Sequence, residues 1–289
     1  MALRKSVATL TSGERAAFVK AVKRLKLAQS KFTPPTTSRY DDYVYIHMQA
    51  MLVMQVNDPT KPVDNANWTE TSGMRMPMWA PRCPAFLPWH RELLRNFEKD
   101  LQAESGDSTL GLPYWDWSVD QNPGSVPWTD DFMGGDGHDG PVTTGPFAGV
   151  ANWKLNLSED NDQGGPGLDH LTRGFGLCPG FGRLPTPAEV QTTLGVAVYD
   201  QTSWDDHETS ATFRNKLEGW YVPPGSTVRD GMHNLVHLWV GGNVGAMLPS
   251  SSPNDPIFFL HHCNIDRLWS VWQSLQPGPH YAPFVTTAG

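Results

Sequence analysis

The sequence predicts a mainly α protein: a single domain, residues 1–289, built on a central antiparallel four-helix bundle with long ordered loops. Three observations predict it. Apolar residues recur at helical spacing in several separate segments. Glycine and proline are abundant, 27 and 25 residues, while charged residues make up only 18 % of the chain. Substantial ordered loop must therefore join the helices. Finally, histidines on helical faces come from both ends of the 289 residues, so both ends must pack together, which favours one domain over two. A chain of this length buries roughly 75 % of its unfolded surface and needs no disulfide staple.

The elements follow in order. A first helix is expected over Ser12–Ala28, with Thr11 as its cap and Glu14 closing the capping box. A second, Tyr40–Val56, carries His47, and a third, Ala85–Ala103, carries His90. Trp115 and Trp117 then read as anchors for the chain as it leaves the bundle. From Ser118 to Gln201 the sequence is rich in Gly, Pro, Asp and Thr, with no sustained period. So long a loop is usually functional, and it is expected to wrap one end of the bundle and form part of a pocket wall. Helices return over Thr209–Leu217, Val228–Val240 and Pro256–Leu275.

The chemistry centres on the last two. His233 and His237 are four apart and so share one helix face. Asn254-Asp255-Pro256-Ile257-Phe258-Phe259-Leu260-His261-His262 follows, and a helix starting near Pro256 brings another imidazole against the pair. Three imidazoles without thiolate or carboxylate suit copper, and zinc less distinctively. The zinc protease motif needs Glu directly after its first His. Here that residue is Asn234, so the protease reading fails.

Six blocks in order carry a wider resemblance: the His47 segment, Phe86 to Glu98, Leu112 to Trp117, Phe213 to Trp220, His233 to Gly242, and Asp255 to Trp272. Together they make the chain resemble the type-3 copper proteins of the bacterial tyrosinase kind. The resemblance implies a dinuclear copper site within the bundle. His233, His237 and the second His of the 261–262 pair match the second copper's ligands. Helical position favours His262, four residues before Asp266, which is expected to orient a ligand imidazole. His261 is then expected to line the pocket and offer a face to the substrate ring. His47 and His90 match the first copper's first and third ligands.

That first site departs from the family pattern. Its second ligand would fall nine residues before His90, at Pro81, and no histidine lies between His47 and His90. Proline offers no ligating side chain. Three alternatives stand open: a first copper completed by water, a replacement from His138, His170, His207 or Cys83, or an empty or disabled first site. His138, His170, His207 and His280 otherwise read as solvated loop residues among Gly, Asp, Pro and Ser.

The resemblance implies oxidation of monophenols, o-diphenols or o-aminophenols to o-quinones by dioxygen. Glu218 and Asn234 match a pair that fixes a water able to take the phenolic proton. The turn Gly241 to Met247 matches the gate above the second copper, its glycines allowing close approach of a flat ring. Leu238 is apolar where some relatives place Arg, so no charged anchor for a substrate carboxylate is evident, and a small neutral phenol, catechol or aminophenol is expected as readily as tyrosine. The alternatives are a dioxygen carrier of hemocyanin type and a member degenerate at its first copper.

Net charge of −8 argues against nucleic acid and anionic membrane surfaces as partners. No apolar run approaches a membrane span of ~20 residues, and the first residues lack the apolar core of a signal peptide. The location left open is cytoplasmic, or exported with a small copper-delivering partner, as the resemblance implies. Three cysteines, Cys83, Cys178 and Cys263, allow at most one bridge and favour reduced thiols.

Overall fold

The structure is a computed structural model describing residues 2–32, 36–52, 83–158, 168–201, 209–226 and 231–276. Its helices are α1 (Ser12–Leu27), α2 (Arg39–Leu52), α3 (Phe86–Ser105), α4 (Pro187–Leu194), α5 (Phe213–Glu218), α6 (His233–Gly241) and α7 (Ile257–Leu275). One two-stranded antiparallel sheet pairs β1 (Gly140–Pro141) with β2 (Thr172–Arg173). The mainly α class holds, and the six expected helices are all present. The expected ends at Val56 and Val228 lie outside the described residues.

Local chemistry explains the helix ends. Thr11 Oγ1 accepts the Glu14 N–H at 3.2 Å, and the Glu14 carboxylate accepts the Thr11 N–H at 2.9 Å. Such a cap is worth about 1 kcal/mol. α3 stops at Gly106, whose φ of 72° suits a residue without Cβ.

α1 packs on α2 and α3, α3 on α7, and α7 on α6. Phe97 of α3 and Phe259 of α7 stack with ring centres 3.6 Å apart, and Tyr40 and Tyr43 of α2 meet Phe97 edge-on. Burying each such ring stabilises the fold by roughly 1.5–3 kcal/mol. α7 is buried nearly all round from Ile257 to Ile265, which explains its unbroken apolar run. Trp115 and Trp117 are fully buried, and the Trp115 N–H donates to the Leu260 carbonyl at 3.1 Å, as befits an anchor.

The long segment after Ser118 docks on this frame. Arg173 is fully buried and forms a two-pronged pair with Asp255, at 2.7 and 2.8 Å, beside the start of α7. It also donates to the carbonyls of Met133 and Gly134. Trp153 packs edge-on against Tyr40 and donates to the Asn254 carbonyl. Within this stretch, read as aperiodic from the sequence, α4 forms on a second capping box. Thr186 and Glu189 build it, with proline at the first helical turn.

The turn after α6 corrects one expectation. A Cβ on Gly242 would meet Asp139 Oδ1 at 2.2 Å and the Gly174 carbonyl oxygen at 2.6 Å. Its glycine is required by packing against the long segment. The cavity wall at this point is made by Leu248 and Pro249.

Candidate metal centre

Histidines from α2, α3, α6 and α7 converge. His47, His90, His233 and His237 line one cavity of about 330 Å³, with Glu218 and Asn234 in the same wall. His262 sits behind them, its ring stacked on His90 at 4.4 Å and packed on Phe258 at 4.0 Å. Phe258 in turn meets His47 edge-on at 5.0 Å. One ring nitrogen from each of His233, His237, His261 and His262 lies within 4.8 Å of the others.

Hydrogen bonds decide which nitrogen of each ring is free. A carbonyl oxygen only accepts, so His47 Nδ1 donates to Ser250, His90 Nδ1 to Phe86 and His237 Nδ1 to Met247. The Asn234 amide donates to the Gly219 carbonyl at 3.2 Å, which leaves its oxygen to accept from His233 Nδ1 at 2.9 Å. In all four rings the Nε2 lone pair is therefore unprotonated and points away from the tether. His90 Nε2 is buried with no hydrogen-bond partner.

His261 is the opposite case. An indole N–H only donates, so Trp117 Nε1, 3.1 Å away, puts the proton of His261 on Nε2. His261 is fully buried and stacks on His233 at 5.1 Å. The sequence puts it on the cavity wall, whereas the structure puts it behind His233. His262 Nε2 lies 3.3 Å from His233 Nε2 and 3.4 Å from His237 Nε2. Nitrogens at ~2.0–2.1 Å from a first-row metal, at tetrahedral angles, stand roughly 3.3–3.4 Å apart. These three fit a metal ion.

Burial keeps the rings neutral. It pushes His47 and His237 down to about 4 and holds His90, His233, His261 and His262 well below the ordinary imidazole value, with neighbouring imidazoles adding to the effect in most. Neutral imidazole is the form a metal binds.

Glu218 is brought to the cavity by Gly219. With φ at 101°, this residue ends α5, and a Cβ there would meet Gly231 Cα at 3.1 Å and Asn234 Cβ at 3.2 Å. The Glu218 carboxylate accepts from Arg214 at 2.9 Å and from Trp220 Nε1 at 2.9 Å. Arg214 also grips Asp200.

Asp266 departs from expectation. It takes Arg4 and Arg91 as partners, while His262 Nδ1 is buried without a hydrogen-bond partner. His138 and His170 sit beside Asp136 and Asp169, and neither lines the cavity. Pro81, His207 and His280 lie outside the described residues. None of the three cysteines is in a disulfide, and Cys83 is buried and does not line the cavity.

A model of the common central domain of tyrosinase matches residues 37–275. The chain belongs to the tyrosinase family. It is 39 % identical to a tyrosinase of Streptomyces glaucescens, over 99 % of this chain and 88 % of that protein. It is 38 % identical to grixazone synthase of Streptomyces griseus, over 99 % and 89 %. Among solved structures, a polyphenol oxidase of Thermothelomyces thermophila superposes with a TM-score of 0.63 at 26 % identity, covering 96 % of this chain and 72 % of that one. A functional unit of octopus hemocyanin shares the fold, with a TM-score of 0.54 at 22 % identity over 96 % of this chain and 54 % of that one. As a member of the tyrosinase family the chain is a type-3, copper-dependent phenol oxidase using dioxygen, and the carrier reading is not favoured. Among the described residues, no helix is long and apolar enough to cross a membrane.

Sequence reasoning did not find the working partners of this family site. Trp117 reads as a packing residue, yet it fixes the His261 proton. Arg214 sits four residues before Glu218, and that helical spacing is the one signal that could have identified it.

Proposed function

We infer that the chain converts small neutral phenols to o-quinones, hydroxylating monophenols as well as oxidising o-diphenols. The observation that supports it most is that His262 Nε2 lies 3.3 Å from His233 Nε2 and 3.4 Å from His237 Nε2, beside a cavity that Glu218 also lines. His233, His237 and His262 would hold one copper, and His47 and His90 would contribute to the other. Copper, when bound, supplies the electron exchange with dioxygen that the side chains cannot.

The side chains do the rest. Phe181, Leu238, Leu248 and Pro249 make an apolar wall for an aromatic ring, and no Arg or Lys among the described residues lines the cavity. A substrate carboxylate would find no partner there, which favours a neutral phenol. Glu218 is the acceptor for the phenolic proton. One guanidinium, Arg214, grips two carboxylates, Asp200 and Glu218, and so fixes Glu218 in place beside the cavity. Asn234 acts as a positioning residue, its amide spent on His233 and Gly219. His261 holds the opposite side of the His233 ring. A small copper-delivering partner belongs to the same reading, supported by the family resemblance alone.

The test is oxygen uptake and quinone absorbance after copper loading, with a monophenol and with its catechol. Glu218→Gln should slow monophenol turnover by about 10²-fold or more, the scale of general-base catalysis, and affect the catechol less. Equal losses on both would remove Glu218 from the proton-transfer role. Absence of oxygen uptake with either substrate would sink the oxidase reading.

A further inference from the structure

Two of the first site's imidazoles present free Nε2 atoms, but the chain carries no histidine between them in sequence. His138 and His170, the described histidines outside the cluster, are turned to carboxylates on other parts of the molecule. The same cavity wall holds a donor of a different kind. Met51 lies four residues after His47 on α2 and lines the cavity with His47 and His90. On a helix, residues at that spacing stand one above the other with Cβ atoms about 5–6 Å apart. A thioether on three rotatable bonds can swing toward the Nε2 of the ring beside it.

We propose that the Met51 sulfur replaces the missing imidazole, completing a His47–His90–Met51 site that selects copper(I). Thioether sulfur is a soft ligand and favours Cu(I), whereas a three-imidazole set serves both oxidation states. The apolar setting adds to this preference, because a doubly charged ion loses more on leaving water than a singly charged one. The two copper sites of this chain are then unlike: His233, His237 and His262 hold the ion in either state, and the first site holds it firmly only when reduced. Composition agrees. Six of the ten methionines, Met48, Met51, Met54, Met74, Met76 and Met78, fall between His47 and His90. Met48 packs against the apolar core and serves as the control.

The inference rests on the metal-centre reading above, so its test must separate the two. Copper-free full-length protein is titrated anaerobically with Cu(I) against a coloured Cu(I) chelator, and the loaded protein is measured by X-ray absorption at the copper edge. The wild type should hold two Cu(I) per chain and show a sulfur neighbour at ~2.3 Å. Met51→Leu, which conserves volume, should lose the sulfur signal and weaken one of the two ions at least ~10-fold, the other being unchanged. Met48→Leu should match the wild type. Two tightly held ions in Met51→Leu, or a sulfur signal that survives in it and vanishes in Cys83→Ser, overturns the proposal. So does a wild type holding one ion that is lost in His237→Ala, though the metal centre then stands. A wild type that binds no copper overturns the metal centre itself.

Discussion

Lowering the pH on the copper-free protein should destabilise it through the buried and half-buried histidines of the cluster. In the folded chain His47 and His237 take up a proton only near pH 4, against about 6.5 when unfolded. Between these values the unfolded chain binds more protons, so stability rises with pH across the window and is lost as pH falls through it. From pH 7 to pH 5 each of the two rings costs about 2 kcal/mol, roughly 4 kcal/mol together. His90, His233, His261 and His262, which burial also holds below their ordinary value, act in the same direction. The assay is urea unfolding of copper-free protein at both pH values. With a slope of about 3 kcal/mol per molar, 4 kcal/mol moves the midpoint down by about 1.3 M. His237→Gln removes one titrating group and should recover about 2 kcal/mol of the difference. Equal midpoints at pH 7 and pH 5 would refute the reasoning, because the rings would then be solvated or already charged in the folded chain.

Two other outcomes follow from buried groups away from the cavity. Arg173→Met leaves Asp255 charged and unpaired inside the protein, and should cost about 3–5 kcal/mol in chemical unfolding. A loss below about 1 kcal/mol would show that the pair is not a buried tie. Burial pushes the Cys83 and Cys263 thiols up to about 12, while Cys178 is half-buried. Native alkylation at pH 8 should therefore modify Cys178 alone, with all three labelled after unfolding, as read by intact mass. Fast native labelling of Cys263 would contradict its place within α7.

Much of the fold was legible because helices declare themselves locally. The Thr11–Glu14 box starts α1 at the expected residue, and the i,i+4 spacing of His233 and His237 puts both rings on one face of α6. α4 was legible in principle: Thr186, Pro187 and Glu189 spell a helix start. Its eight residues are too few for a periodicity to stand out in a glycine- and proline-rich stretch.

The sequence by itself determined which residue types are available and which helix faces present them: the five cavity and cluster histidines His47, His90, His233, His237 and His262, the carboxylate of Glu218, and the absence of a histidine between His47 and His90. Tertiary structure decided how those groups are used. Which nitrogen of His261 carries the proton depends on Trp117, 144 residues away in the chain, because an indole N–H only donates and so occupies the Nδ1 lone pair. Asp266 faces two arginines instead of an imidazole, and Asp255 is tied to Arg173 across 82 residues. Periodicity sets the face of a helix, but the neighbour that a face meets is chosen by packing between segments that share no local signal.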